Sequence, residues 1–376
     1  MGNHIYLPPP LFGMVQKKFD RRSFLAATGT AALAGLAGCS GGGGGSGGDS
    51  GSGDSGSGGS SGDSGSGDSG SGDGDSGGSG DSGSGDSGGS GSGSTRLSWH
   101  AGGTGGTYFP LSNEFKDVIE SNTDGITVQV QSTGASVENV GSLASGDADF
   151  ALIQNDVAYF AANGSGIEAF QGNAVDSLRG VATLYPETIH IVTLADTGVE
   201  TPSDLSGATI NTGDLGSGTQ VNANQILEAL GISDFTEQNT GFSQASDQLK
   251  NGDIDAAFVV GGYPVGAIEE LAATEDVRIV PIEGDARQSV KDAAPFYADD
   301  EVPSGTYGLE SAAPTVAVQA MIATNAEQPE DIVQTVTAAI FDNADSLTIK
   351  TDFISAESAQ DGMSIDLHPG AQAYFG

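Results

Sequence analysis

The sequence predicts an α/β protein of two lobes, each a parallel sheet with helical crossovers, joined by a hinge of two strands. Three observations predict it. Residues 95–153 read as strand, loop, helix, strand, helix, strand, the signature of a parallel sheet with helices packed on it. The same order returns about 110 residues later. Finally, two long apolar strands bracket the second set, so the chain has a way out of the first lobe and a way back.

Taken in order, Arg96 to His100 is a short strand. A glycine loop, Gly102-Gly103-Thr104-Gly105-Gly106-Thr107, leads into a helix from Tyr108 to Ser121. There Leu111, Phe115, Val118 and Ile119 share one face at helical spacing. Ile126 to Val130 is a β-branched strand, Ser132 to Ser136 a turn, Val137 to Ala144 a helix, and Phe150 to Ile153 a strand. In the second set, Ala208 to Asn211 is the strand, Gly213 to Thr219 the loop and Val221 to Leu230 the helix. Gly-Asp-x-Asp-x-Ala occurs at 146 and again at 252, and a Gly-Thr pair at 106 and 218. The connecting strands are Ile189 to Leu194, after Val181 to Pro186, and Thr315 to Ile322. A helix from Pro329 to Leu347 returns to the first lobe. The expected division is 95–195 with 320–376 as lobe 1 and 196–319 as lobe 2.

Not all of the 376 residues belong to this fold. Residues 41–94 contain only Gly, Ser and Asp. They have no apolar side chain to offset the entropy of ordering. We read 40–94 as a disordered tether with a reach of roughly 40 Å for a Gly/Ser chain of this length. Before it, Asp20-Arg21-Arg22-Ser23-Phe24-Leu25 opens a small, apolar run too short to span a bilayer but suited to a signal-peptide core. The arginine pair resembles a twin-arginine export signal. Leu36-Ala37-Gly38-Cys39 resembles a lipobox, and Cys39 is the sole cysteine, with no disulfide partner in the chain. Residues 1–39 are thus expected to be a lipoprotein signal. Lipidated Cys39 would then hold the protein on the outer face of the cell membrane.

Formal charge is −38, from 50 acids against 12 bases. Eight of those bases fall in 95–376. This argues against a nucleic-acid partner, which needs a basic footprint, and against a basic membrane-surface helix. The apolar content of 95–376 argues against disorder there. The excess is expected to be a solvated acidic surface, suited to strong brine, where salt screens self-repulsion. Asp73-Gly74-Asp75 and Asp299-Asp300-Glu301 lack the spacing of a calcium loop, and no metal or cofactor is expected.

Each lobe places a Gly/Ser/Thr loop between a strand end and a helix start. Glycine admits close approach, and the first helical N–H groups are unpaired and partly positive. Such junctions suit a carboxylate or a phosphate. Neither loop is a Walker motif or a dinucleotide fingerprint. Enzymatic constellations are thin: no HExxH, no GxSxG and no paired nucleophile and base appear. His190 reads as structural and His368 as a loop residue, while His100, beside the first glycine loop, is a candidate ligand contact. No catalytic residue is expected.

Gly102 to Leu111, Val130 to Asn139 and Ala148 to Tyr159 resemble the TAXI-type solute receptors of TRAP transporters. Leu184-Tyr185-Pro186-Glu187, Gly216-Ser217-Gly218-Thr219 and Leu367-His368-Pro369-Gly370-Ala371 continue the match in order. The resemblance covers nearly all of 95–376. It implies a type-II periplasmic-binding-protein fold with two Rossmann-like lobes, closing on a small organic anion such as glutamate, a dicarboxylate or an oxo-acid. It implies delivery to an ion-driven membrane permease. None of the eight bases lies in a candidate loop, so backbone amides, helix N-termini and Ser, Thr, Gln and Tyr groups are expected to hold the anion. The expected ligand-binding residues are Thr104, Gly105, Thr107, Tyr108, Ser132, Thr133, Ser136, Gln154 and Asp156 from the first lobe. Ser217, Gly218 and Thr219 are expected from the second. Asp156 suits a ligand ammonium or, equally, a helix N-cap. Tyr185 and Tyr263 read either as cleft walls or as turn packing, and Arg179 could fold near the cleft. Alternatives are the receptor of an ATP-driven importer, a sensor head, or an enzyme on the same fold such as a pyrimidine-precursor synthase.

Overall fold

A computed structural model describes residues 94–376. The proposed signal, Cys39 and nearly all of the tether lie outside the described residues. In the first half of the fold, β1 (Thr95–His100), α1 (Tyr108–Asn122), β2 (Ile126–Gln131), α2 (Ser136–Ser145), β3 (Phe150–Gln154) and α3 (Asn155–Asn163) follow one another. The long strand β4 (Leu178–Leu194) then leads out. The second half holds β5 (Thr209–Asn211), α4 (Gly218–Ala229), β6 (Thr236–Gln238), α5 (Phe242–Asn251), β7 (Ala256–Gly261) and α6 (Gly266–Ala272). It continues through β8 (Val277–Ile279), α7 (Gly284–Ala293) and β9 (Ala298–Val302). Strand β10 (Ala313–Asn325) returns, and α8 (Glu330–Phe341) and α9 (Pro369–Phe375) close the chain.

The strands form one continuous sheet in the order β2-β1-β3-β10-β4-β7-β5-β6, with β8 added beside β4 and β9 beside β10. β1 pairs in parallel with β2 and β3, and β5 in parallel with β6 and β7. The two long strands run antiparallel to one another through the middle, with register shifts near Gln319 and Ile322. One end of β4, Leu178 to Thr183, lies in the first half; its other end, Thr188 to Val192, pairs with β7 in the second. The sequence suggested two segments here. The structure makes them one strand, because Pro186 needs no donor where it faces Gln319 at the shifted register.

Apolar side chains cover both faces of each half. Trp99, Phe115, Ile119, Phe150 and Leu184 pack under α1 and α8, and Val140, Ile153, Val157 and Met321 pack under α2 and α3. In the second half Ile210, Ile226 and Phe258 fill one face, and Leu249, Val259 and Ile268 the other. The predicted helical face of α1 is the buried one, since Leu111, Phe115, Val118 and Ile119 are all buried. The expected helix 329–347 is shorter, ending at Phe341.

The repeated Gly-Asp-x-Asp-x-Ala motif has a repeated structural use. Gly146 and Gly252 end α2 and α5 with positive φ, +81° and +73°, which glycine adopts without Cβ strain. Three residues on, Asp149 accepts the Ser98 N–H at 2.7 Å, and Asp255 accepts the Thr209 N–H at 2.8 Å. Each aspartate thereby ties the incoming strand to the first strand of its own half.

Candidate functional site

In each half the parallel strands end on the same side, and the helices that follow them begin there. Five helices start at one cleft: their N-cap residues Thr107, Ala135, Gln154, Ser217 and Gly241 all line it. Helices α1, α2, α3 and α5 have no side-chain cap. Only α4 is capped, by Ser217, whose hydroxyl accepts the Gln220 N–H at 3.0 Å. The cleft therefore gathers partly positive helix ends with backbone donors. Ala135, at φ +70°, stands in a region L-residues rarely adopt, at the entry to α2.

The halves stand close. The cleft volume is about 60 Å³, well below that of an ordinary small-molecule pocket. The Gly216 carbonyl of the second half accepts the Val137 and Glu138 N–H groups of the first at 3.1 and 3.2 Å. The Ala267 N–H donates to the Gly105 carbonyl at 3.0 Å, and the Thr107 hydroxyl donates to the Gly262 carbonyl at 3.1 Å. Behind the cleft, Asn222 donates to Asp156 at 2.8 Å, and Phe296 packs tilted against Tyr159 and edge-to-face against Phe160. These contacts hold the two halves together across the cleft.

Most of the expected residues meet here. Gly105, Thr107, Tyr108, Thr133, Ser136, Gln154, Ser217, Gly218 and Thr219 line the cleft. Thr104, Ser132 and Asp156 are not among its lining residues. Thr104 is exposed in its loop, and Ser132 is exposed with its hydroxyl donating to the Gly102 carbonyl. Asp156 is buried in the first turn of α3, where its side chain turns to Asn222 on α4. Burial raises its carboxyl to about 6 against the hydrogen bonds from Asn222 and the helix amides, and its Oδ1 has no partner.

The histidines do other work. His190 is fully buried, with Nδ1 on the Val259 carbonyl and Nε2 on the Tyr307 hydroxyl. Burial lowers it to about 4, so it is neutral. His368 caps α9, its Nδ1 accepting the Gly370 N–H at 3.1 Å. His100 is buried beside the first loop but does not line the cleft. Arg179 is held on the Asp176 and Leu178 carbonyls, away from it. Tyr185 is fully buried behind the cleft and Tyr263 flanks Lys350, so neither is a lining wall. Among the described residues no cluster of His, Cys, Asp or Glu is placed to hold a metal ion.

The cleft also contains residues the sequence reading did not single out: Glu187, Asp214, Gly241, Phe242 and Val260. Glu187 is 3% exposed, on β4. It accepts hydrogen bonds from Tyr108 OH at 2.9 Å and Tyr185 OH at 3.3 Å. Burial pushes its carboxyl up to about 8, against the lowering pull of Tyr108, Gln154 and Tyr185. Burial also raises the Asp214 carboxyl, with Glu138 adding to it. No Lys or Arg lines the cleft. One signal for Glu187 was legible: it is the single acid of β4. Gly241 and Phe242 could have been placed by the repeat, since α5 stands in the second half as α2 does in the first.

A family model described as the NMT1-like family matches residues 100–376. The chain belongs to the NMT1-like family. Its helices and single ten-stranded sheet make it a mixed α/β protein. Among solved structures, this NMT1-like chain is similar to one from Listeria monocytogenes described as an L-cystine ABC transporter. That match has 13% identity and a TM-score of 0.43, covering 70% of this chain and 98% of the other. It is also similar to an alkanesulfonate-binding protein from Xanthomonas axonopodis bound to MOPS, at 13% identity and a TM-score of 0.41, covering 74% and 83%. A third is a periplasmic binding protein from Brucella ovis with glutathione bound, at 13% identity and a TM-score of 0.40, covering 66% and 67%.

Proposed function

We propose that this chain is an extracytoplasmic solute receptor that closes its two halves on a small organic anion and presents it to a membrane permease. The observation that carries this reading is the convergence of five helix N-termini on one interlobe cleft, four of them without a side-chain cap. Uncapped helix starts supply hydrogen-bond donors and positive potential with no basic side chain, and none lines this cleft. A carboxylate fits these requirements. Contacts reaching from both halves exist only when the cleft is shut, so a ligand that makes them draws the closed state. The lobes in this reading are 95–195 with 320–376, and 196–319.

The resemblance of the glycine loop, the Ser132-Thr133-Gly134 turn and the Leu184-Tyr185-Pro186-Glu187 segment to TAXI receptors supports a TRAP-type, ion-driven permease as the partner. The arginine pair and Cys39 support export and a lipid anchor on the outer face of the membrane. No helix of the described residues is long and apolar enough to cross a membrane. Thermal-shift and calorimetric titration of the purified protein with a panel of small mono- and dicarboxylates tests the receptor reading. Saturable binding at one site, weakened when Ser217 or Thr107 is truncated, is the expected result. Failure of every anion in the panel to bind would sink it.

A further inference from the structure

The floor of the cleft carries acceptors in excess of donors. Gln154, 2% exposed, has its Oε1 buried without a partner, and it lines the cleft on the same wall as Glu187. Glu187 receives two tyrosine hydroxyls and keeps further acceptor capacity. No protein cation answers it directly. Lys350, the nearest base, lies over the Tyr185 ring at 5.9 Å and gives its ammonium to the Tyr263 carbonyl instead. A buried acceptor left unpaired is costly. A dianion placed here would meet no basic side chain.

We infer that Glu187, with the Gln154 side-chain oxygen, is the specificity-determining pair of the cleft and receives a protonated amine on the ligand. The substrate class is then a zwitterion, such as an α-amino acid, with its carboxylate at the helix N-termini and its ammonium at the floor. The inference rests on the receptor reading above. An ammonium brings several donors in a compact head, so it can satisfy the Gln154 oxygen and Glu187 together. It also supplies the positive charge the lining lacks. A site built to pair a buried polar group rejects the analogue without it, because the group is then stranded.

The test uses matched probes with and without the amine: L-glutamate against glutarate, and L-leucine against 4-methylpentanoate. The purified protein should bind the amine-bearing member of at least one pair tighter by on the order of ten- to a hundredfold. Glu187→Gln should erase that preference. A second readout needs no variant. The groups facing Glu187 are Tyr108, Tyr185, Asp156 and Lys350. With burial holding Glu187 near 8 in the free protein, ionising it against an ammonium at pH 7 releases a proton. Calorimetry in two buffers of different ionisation enthalpy should read that release with the amine-bearing probe and not with its plain counterpart. Binding of plain acids as tightly as amino acids, or binding of amino acids without proton release, overturns the inference and leaves the receptor reading standing. No binding by either member of any pair overturns both.

Discussion

Gly218, the first residue of α4, faces the side-chain oxygen of Gln154 across the cleft so closely that a methyl group on it would overlap that oxygen. Ser136 Oγ would stand 2.9 Å from the same methyl. With a side chain at position 218, the buried Gln154 and Ser136 side chains would have to shift before the halves could meet this way. Gly218→Ala is expected to keep its fold, since its place in a helix start suits alanine. Its halves should stay apart, with ligand affinity lower by tenfold or more. Small-angle scattering should show ligand-induced compaction in the wild type and none in the variant.

The Thr107 and Ser217 hydroxyls act from opposite halves. Thr107 bonds the Gly262 carbonyl across the cleft, while Ser217 caps α4 and keeps its own O–H proton for a ligand. Thr107→Ala should weaken binding about two- to tenfold by loosening closure. Ser217→Ala should weaken it more and cost about 1 kcal/mol of stability for the lost cap. Titration calorimetry with parallel thermal melts separates these effects. A Ser217→Ala protein with full affinity would exclude the second half from the site.

Burial holds Glu187 near 8, above its ordinary 4.5. For an acid raised in the folded state, stability is highest where both states are protonated, below about pH 4.5. It falls as pH climbs toward 8, because the unfolded chain releases its proton first. Glu187→Gln removes this cost. The unfolding free energy of the variant relative to wild type should therefore rise between pH 4 and pH 8, by an amount on the order of a few kcal/mol, as denaturant titrations at the two pH values would read. A difference independent of pH would mean that Glu187 is ionised in the fold.

His190 has the opposite sign. Burial lowers it to about 4 from 6.5, so the stability it contributes is present above 6.5 and is lost as pH falls toward 4. His190→Asn should flatten the loss of stability between pH 6.5 and 4, at some cost at neutral pH from the lost bonds to Val259 and Tyr307. Thermal melts over that range check it.

Acids outnumber bases heavily in 95–376, and the ion pairs of the described residues lie at the surface. Such pairs offset little of the self-repulsion. The melting temperature should climb markedly from about 0.1 M salt to molar salt, where the Debye length falls from about 10 Å to about 3 Å. A melting temperature insensitive to salt would contradict an acidic surface adapted to brine.

Periodicity and repetition made the architecture legible without coordinates. The spacing of Leu111, Phe115 and Ile119 fixes the buried face of α1, because a helix returns every 3.6 residues whatever surrounds it. The recurrence of Gly146 and Asp149 as Gly252 and Asp255 announces two similar halves, because the same turn demands the same residues. The loops that begin helices were likewise readable, and Thr107, Ser136, Gln154, Ser217 and Gly218, expected as ligand contacts, stand on the cleft lining. What local signals could not decide was direction and partnership. Asp156 sits two residues from Gln154 on the same helix start, yet its side chain turns to Asn222 and away from the cleft. Glu187 is the one acid of β4. Tyr185 stands two residues back on the same strand, but only the fold brings Tyr108 to it, from 79 residues away. Burial, and with it the protonation of Glu187, is set by neighbours distant in sequence, and no local pattern encodes them.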